Sequence, residues 1–124
     1  MSEVGVIDPV VWNDLCQLQT DADPNIVAEL IDLFFHVTPE LIDGMRAAIA
    51  ASDASRLEQI AHRCAGSSAN LGATRLATLC HTLEGLARAR TMAGTQESLA
   101  TIEAEYARVV VALVEARHAA PSFT

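Results

Sequence analysis

Between Ile26 and Ile49 apolar side chains recur at intervals of three and four: Ile26, Leu30, Phe34, Val37, Leu41, Met45 and Ile49. That spacing draws one apolar stripe along a helix. A strand would alternate every second residue instead. A stripe of this length has to be covered by other helices, which makes a helical bundle the natural solution.

The rest of the chain supplies those helices. Asp8-Pro9 reads as an N-cap followed by a proline at the first helical position, opening a short helix with Trp12, Leu15 and Leu18 on one side. Asp23-Pro24 gives the same signal for the long helix. Pro39 falls inside that helix and could split it, with Thr38 as a second cap. The stripe stays in phase across it, so one kinked helix is expected. Asp53 caps a third helix with Leu57, Ile60, Cys64, Ser68 and Leu71 inward, and Gly72 is its natural stop. A fourth carries Leu76, Leu79, Cys80, Leu83 and Leu86 and is expected to end near Gly94. A fifth starts at about Thr95, with Leu99, Ile102, Tyr106, Val109, Val110 and Leu113. No strand alternation and no internal repeat occurs. The fold class predicted is all-α, an antiparallel four-helix bundle with an additional short N-terminal helix packed at one end.

The 124 residues suffice for a single domain over 1–124, with a core of about 8–117 and a loose tail over 118–124. Half the chain, 51%, is hydrophobic, which excludes disorder and provides one core. No apolar run approaches the roughly 18 residues of a membrane span. The start, Met1-Ser2-Glu3-Val4, has no basic region before an apolar stretch, so no secretory leader is expected. A free-standing, monomeric, cytoplasmic protein is the expectation. Cys16, Cys64 and Cys80 form an odd set with no C-x-x-C pair and read as buried free thiols in a reducing compartment.

The charge is uneven. Sixteen acids oppose eight bases, all of them arginine, for a net charge of −8. Residues 1–60 hold eleven of the acids and two arginines, whereas Arg63, Arg75, Arg88 and Arg90 stand against Glu84 alone in residues 61–90. The acidic whole disfavours nucleic acid and anionic membrane as partners, and the local basic stretch suits an acidic protein surface.

The third helix has an unusual outer face. With Leu57, Ile60, Cys64, Ser68 and Leu71 at the core centre, His62 falls about 140° away, among Glu58, Ala65, Gly66 and Ala69. Three of those four neighbours are small, and a glycine inside a helix costs roughly 1 kcal/mol against alanine. Such a stripped patch leaves an exposed imidazole open to close approach. On the next helix His81, Glu84 and Arg88 lie about 140°, 80° and 120° from the core centre, at the height of His62 across the turn. Periodicity leaves open whether the two sets converge on one groove or diverge. If they converge, Glu84 can accept one ring N–H of His62 and leave the other nitrogen nucleophilic, while Arg88 faces an incoming phosphoryl group. If they diverge, these are solvated side chains with a Glu84–Arg88 ion pair. A metal site of Glu58, His62, His81 and Glu84 has plausible spacing, but its ligands would project outward rather than into the core, so no metal is expected.

The run Ala61-His62-Arg63-Cys64-Ala65-Gly66-Ser67-Ser68-Ala69-Asn70-Leu71-Gly72-Ala73, followed by Leu76, Cys80, Leu83 and Glu84, resembles the histidine-containing phosphotransfer (HPt) domain. The resemblance extends over about Asp8 to Arg117. It implies a four-helix bundle that shuttles a phosphoryl group between receiver-domain aspartates in a phosphorelay. His62 matches the phospho-accepting histidine, Gly66 the glycine that keeps the patch clear, and Ser67 and Ser68 the small polar pair. Glu84 matches the partner of the ring, with His81 and Arg88 beside it. The implied partners are a receiver domain, a hybrid histidine kinase, or both. The chain itself has no nucleotide-binding motif and no acidic metal-binding triad. It is therefore expected to be a phosphotransfer intermediate rather than an enzyme. It needs no cofactor of its own, and Mg²⁺ is expected on the receiver. One residue departs from the pattern: Ala65 stands where the family carries lysine. That departure motivates the alternative of a non-phosphorylated adaptor that docks a receiver or kinase, in which Ala65→Lys would restore transfer. It also leaves Arg88 as the candidate cation.

Overall fold

A computed structural model describes residues 6–119. Its elements run α1 (Pro9–Cys16), α2 (Ile26–Ala50), α3 (Ala54–Asn70), α4 (Thr74–Arg88) and α5 (Thr95–Ala119). Among the described residues there are five helices and no strand. Helices α2 to α5 form the bundle, with α3 packed on α2 and α4, and α5 closing the ring against α2 and α4. Ile31, Met45, Leu57, Leu76, Leu83, Ile102 and Leu113 are fully buried where the four helices meet. No helix among the described residues is long and apolar enough to cross a membrane.

Local chemistry sets the element ends. The Asp8 side chain accepts from the Val10 amide at 2.9 Å, and Pro9 opens α1 behind it. The Asp53 side chain accepts from the Arg56 amide at 3.1 Å and starts α3. Helix α3 ends at the turn through Gly72, whose φ is +82°, with the Ala73 amide donating back to the Ser68 carbonyl at 2.9 Å. Gly72 is required twice over. A Cβ there would lie 3.2 Å from the Asp8 carbonyl oxygen and 3.3 Å from Val11 Cβ. The Asp8 amide donates to the Gly72 carbonyl at 2.7 Å, which seats α1 on the α3–α4 end of the bundle.

Several boundaries differ from the sequence reading. Helix α2 starts at Ile26 after Asn25, not at the Asp23-Pro24 cap. It passes Pro39 as one continuous helix, as the in-phase stripe required. Its buried line, Val27, Ile31, Phe34, Thr38, Leu41, Ile42, Met45, Ala48 and Ile49, keeps Phe34, Leu41, Met45 and Ile49 of the predicted stripe and is wider than it. Ile26, Leu30 and Val37 fall to the edge because α2 packs on two neighbours rather than one. Helix α4 stops at Arg88 rather than near Gly94, through Arg90 in the left-handed region at φ +59°. Leu18 lies beyond the end of α1 and is exposed, and Cys16 is half-buried rather than buried. Helix α5 includes residues 118 and 119, which the reading assigned to a loose tail. The remainder of that tail, 120–124, and the residues 1–4 read for a leader lie outside the described residues.

Candidate functional site

Helices α3 and α4 are antiparallel arms of one hairpin, so residues equally far before and after its turn share a level. The offsets that periodicity left undecided converge. Nδ1 of His62 lies 2.9 Å from Oε2 of Glu84, and Nδ1 of His81 lies 2.9 Å from Oε1 of the same carboxylate. Nη2 of Arg88 donates to Glu84 Oε2 at 2.9 Å, and Nε of Arg88 donates to Glu58 Oε2 at 2.9 Å. Four predicted side chains and Glu58 thus form one connected network across the α3–α4 seam.

Burial divides the network into a fixed part and an open part. The Glu84 side chain is 8% exposed, while those of His62 and His81 are 70% and 58% exposed. Glu84 sits on the core side of the seam and holds both imidazoles by their Nδ1 atoms. The two rings meet edge-on, 6.5 Å between centroids. Burial works against ionising the Glu84 carboxyl, but hydrogen bonds from His81 and His62, and the charges of His62 and Arg88, outweigh it. They hold the carboxyl below its ordinary range. An ionised carboxylate can only accept, so each neutral imidazole presents Nδ1–H to it and keeps the lone pair on Nε2. For His62, Nε2 is the ring nitrogen that Glu84 leaves unengaged.

The small-residue patch is present with one correction. Gly66 and Ala69 are exposed, and a Cβ on Gly66 would meet nothing within 4 Å. Ala65 is fully buried, not on the outer face. The reading placed the core centre on one line of α3, but the helix is covered by α2 on one side and α4 on the other. The buried sector therefore widens to take in Ala61 and Ala65. Ser67 is half-buried, and Ser68 is fully buried with its hydroxyl donating to the Cys64 carbonyl at 2.8 Å. Cys64 and Cys80 are core thiols in mutual contact, which together with burial pushes the Cys80 thiol up. His36 is an exposed residue of α2, remote in sequence from the network.

One depression borders the imidazole, and a second touches α3 further along, at Ser67, Asn70 and Leu71. A polar recess of about 590 Å³ is lined by Ser55, Glu58, Gln59, His62, Arg63, Glu84 and Arg88. An apolar groove of about 430 Å³ lies among Leu15, Leu18, Leu30, Leu33, Phe34 and Val37, with Ser67, Asn70 and Leu71 of α3 on its rim. The sequence reading missed this groove. Its signal was available: Leu33, Phe34 and Phe35 are consecutive, so one of them had to fall outside the buried stripe, and Leu33 is 57% exposed.

A buried carboxylate holds an outward imidazole on a helical hairpin beside a cleared patch, an arrangement that fits phosphotransfer through a histidine. Comparison with known proteins agrees. The model of the Hpt domain family matches residues 29–112. Histidine-containing phosphotransfer protein 2 of Arabidopsis thaliana is 32% identical over 98 residues, covering 77% of this chain and 63% of that protein. Histidine-containing phosphotransfer protein 4 of the same plant is 30% identical over 95 residues, covering 75% of each chain. The crystal structure of histidine-containing phosphotransfer protein B (HptB) from Pseudomonas aeruginosa PAO1 superposes with a TM-score of 0.84 at 30% identity. That match covers 93% of this chain and 96% of the other. The chain belongs to the Hpt domain family.

Proposed function

We propose that this chain is a phosphorelay intermediate in which Nε2 of His62 accepts a phosphoryl group from the aspartyl phosphate of one receiver domain and returns it to the aspartate of another. The observation that carries this reading is the 2.9 Å contact between His62 Nδ1 and the buried Glu84 carboxylate. The Nε2 lone pair attacks phosphorus, the Nε2–P bond forms, and the P–O bond to the aspartate breaks with the carboxylate as leaving group. The ring then carries positive charge, which Glu84 stabilises through Nδ1–H without taking the proton. Transfer onward is the same step reversed on a second receiver.

The supporting roles follow from chemistry. His81 shares Glu84 and helps hold that carboxylate in place. Arg88 is the cation for the phosphoryl oxygens, the part played in the family by the lysine that Ala65 replaces. Gly66 and Ser67 keep the approach to His62 low. The apolar groove supports a docking role for the face made by α1, α2 and α3, with a receiver domain or hybrid kinase as partner. Magnesium is supplied by the receiver's acidic pocket. The chain acts as a monomeric, cytoplasmic carrier and does not itself draw phosphate from ATP. The adaptor alternative rested on the missing lysine, and the guanidinium on Glu84 weakens that ground.

The test is transfer from a phosphorylated receiver domain to the wild type and to His62→Gln. Acid-labile label on the wild type alone is expected. Label retained on His62→Gln overturns the assignment.

A further inference from the structure

Arg88 is divided between two carboxylates. Its Nη2 binds Glu84, which also holds His62, while its Nε binds Glu58 Oε2 at 2.9 Å. Glu58 stands one helical turn before His62 on α3, so its carboxylate and the imidazole border the same recess. The Arg88 side chain is 66% exposed and that of Glu58 28%, so an exposed ion pair rather than packing fixes the guanidinium.

A phosphoryl group on Nε2 of His62 would bring further negative charge into this recess. Ala65, three residues after His62, carries no charge and is buried, so α3 offers no cation at that position, although Arg63 of α3 also lines the recess. The guanidinium tied to the same carboxylate as His62 is already occupied by Glu58. A phosphoryl oxygen must compete with Glu58 for Arg88.

We propose that Glu58 is a positioning residue that withholds Arg88 from the phosphoryl group, so that the phosphohistidine is kept weak and its phosphoryl group passes on readily. This inference rests on the reading of His62 as the phospho-acceptor. Glu58 touches no reacting atom and acts through Arg88. Its removal frees the guanidinium and shifts the equilibrium toward phosphorylated His62.

The experiment uses phosphoramidate as donor and needs no receiver. The P–N bond of phosphoramidate breaks, the Nε2–P bond forms and ammonia leaves. The phosphorylated fraction at a fixed ratio of phosphoramidate to ammonia, read by intact mass, therefore reports phosphohistidine stability. Glu58→Gln is expected to raise this equilibrium constant about two- to fivefold, the weight of an exposed ion pair, and Arg88→Gln to lower it by a similar factor. Glu58→Asp, with a shorter arm, is expected to fall between wild type and Glu58→Gln. In an Arg88→Gln background the added Glu58→Gln change is expected to have no effect. An unchanged or lowered constant for Glu58→Gln overturns the proposal. So does an equal rise in the Arg88→Gln background, which would make Glu58 a direct repulsive charge. Absence of phosphoryl mass on the wild type, or equal mass on His62→Gln, instead defeats the phospho-acceptor reading itself.

Discussion

His62 and Glu84 lie 22 residues apart on antiparallel helices, and the carboxylate of the second meets Nδ1 of the first at 2.9 Å. One partner is a buried anion and the other an exposed ring. The contact satisfies the buried carboxylate and prepares the ring: it fixes the tautomer, orients Nε2 outward and stabilises positive charge on the imidazole. Glu84→Ala is expected to slow phosphotransfer to His62 by about 10- to 100-fold, the usual cost of removing a group that orients a histidine. Glu84→Gln keeps an acceptor oxygen but loses the charge and is expected to fall between. Single-turnover transfer from a phosphorylated receiver measures both.

The same carboxylate gives the protein a pH dependence. Its folded pKa lies below the ordinary value of 4.5, because hydrogen bonds from His81 and His62, with the nearby charges, outweigh the opposing effect of burial. On lowering the pH through 4.5 the unfolded chain takes up this proton before the folded one does. The stabilisation from Glu84 is thus complete above 4.5 and is lost as pH falls through the folded pKa. Denaturant unfolding from pH 6 to 3 is expected to show a shallower acid loss in Glu84→Gln than in wild type.

Gly66 separates stability from function. Its position in mid-helix lowers helix propensity, yet an added Cβ would meet open space. Gly66→Ala is expected to raise stability by about 0.5–1 kcal/mol. A larger side chain such as Gly66→Gln is expected to reduce transfer from a receiver while leaving chemical phosphorylation by phosphoramidate intact. Thermal unfolding and the two phosphorylation assays check these outcomes.

Ala65 is fully buried, so placing lysine there does more than restore a charge. The added stem must push out through the α3–α4 packing before its ammonium reaches water. Ala65→Lys is expected to cost about 1–3 kcal/mol of stability. Urea unfolding gives the loss directly. Any change in transfer rate should be read beside it.

Most of the helices were legible in the sequence because each carries its own signals. Apolar spacing gave α2 to α5, the side chains of Asp8 and Asp53 capped α1 and α3, and Gly72 stopped α3. These are interactions within a few residues, and they need no knowledge of the neighbours. His62 was legible too, since an imidazole opposite the core line stays exposed however the bundle closes.

What the sequence left open was everything that depends on which helix lies beside which. Equal offsets of His62 and Glu84 from the turn fit both a shared groove and opposite faces, and only the packed hairpin decides for the groove. The inward turn of Ala65 and the widened stripe of α2 have the same origin: a helix with two neighbours buries a wider sector than one apolar line suggests. The Arg88–Glu58 pair joins residues 30 positions apart, and no local pattern announces it. The sequence alone determined the helices and the exposed histidine, through contacts one turn long. The tertiary structure decided the histidine's partners, because a hydrogen bond across a seam depends on the rotation of both helices at once.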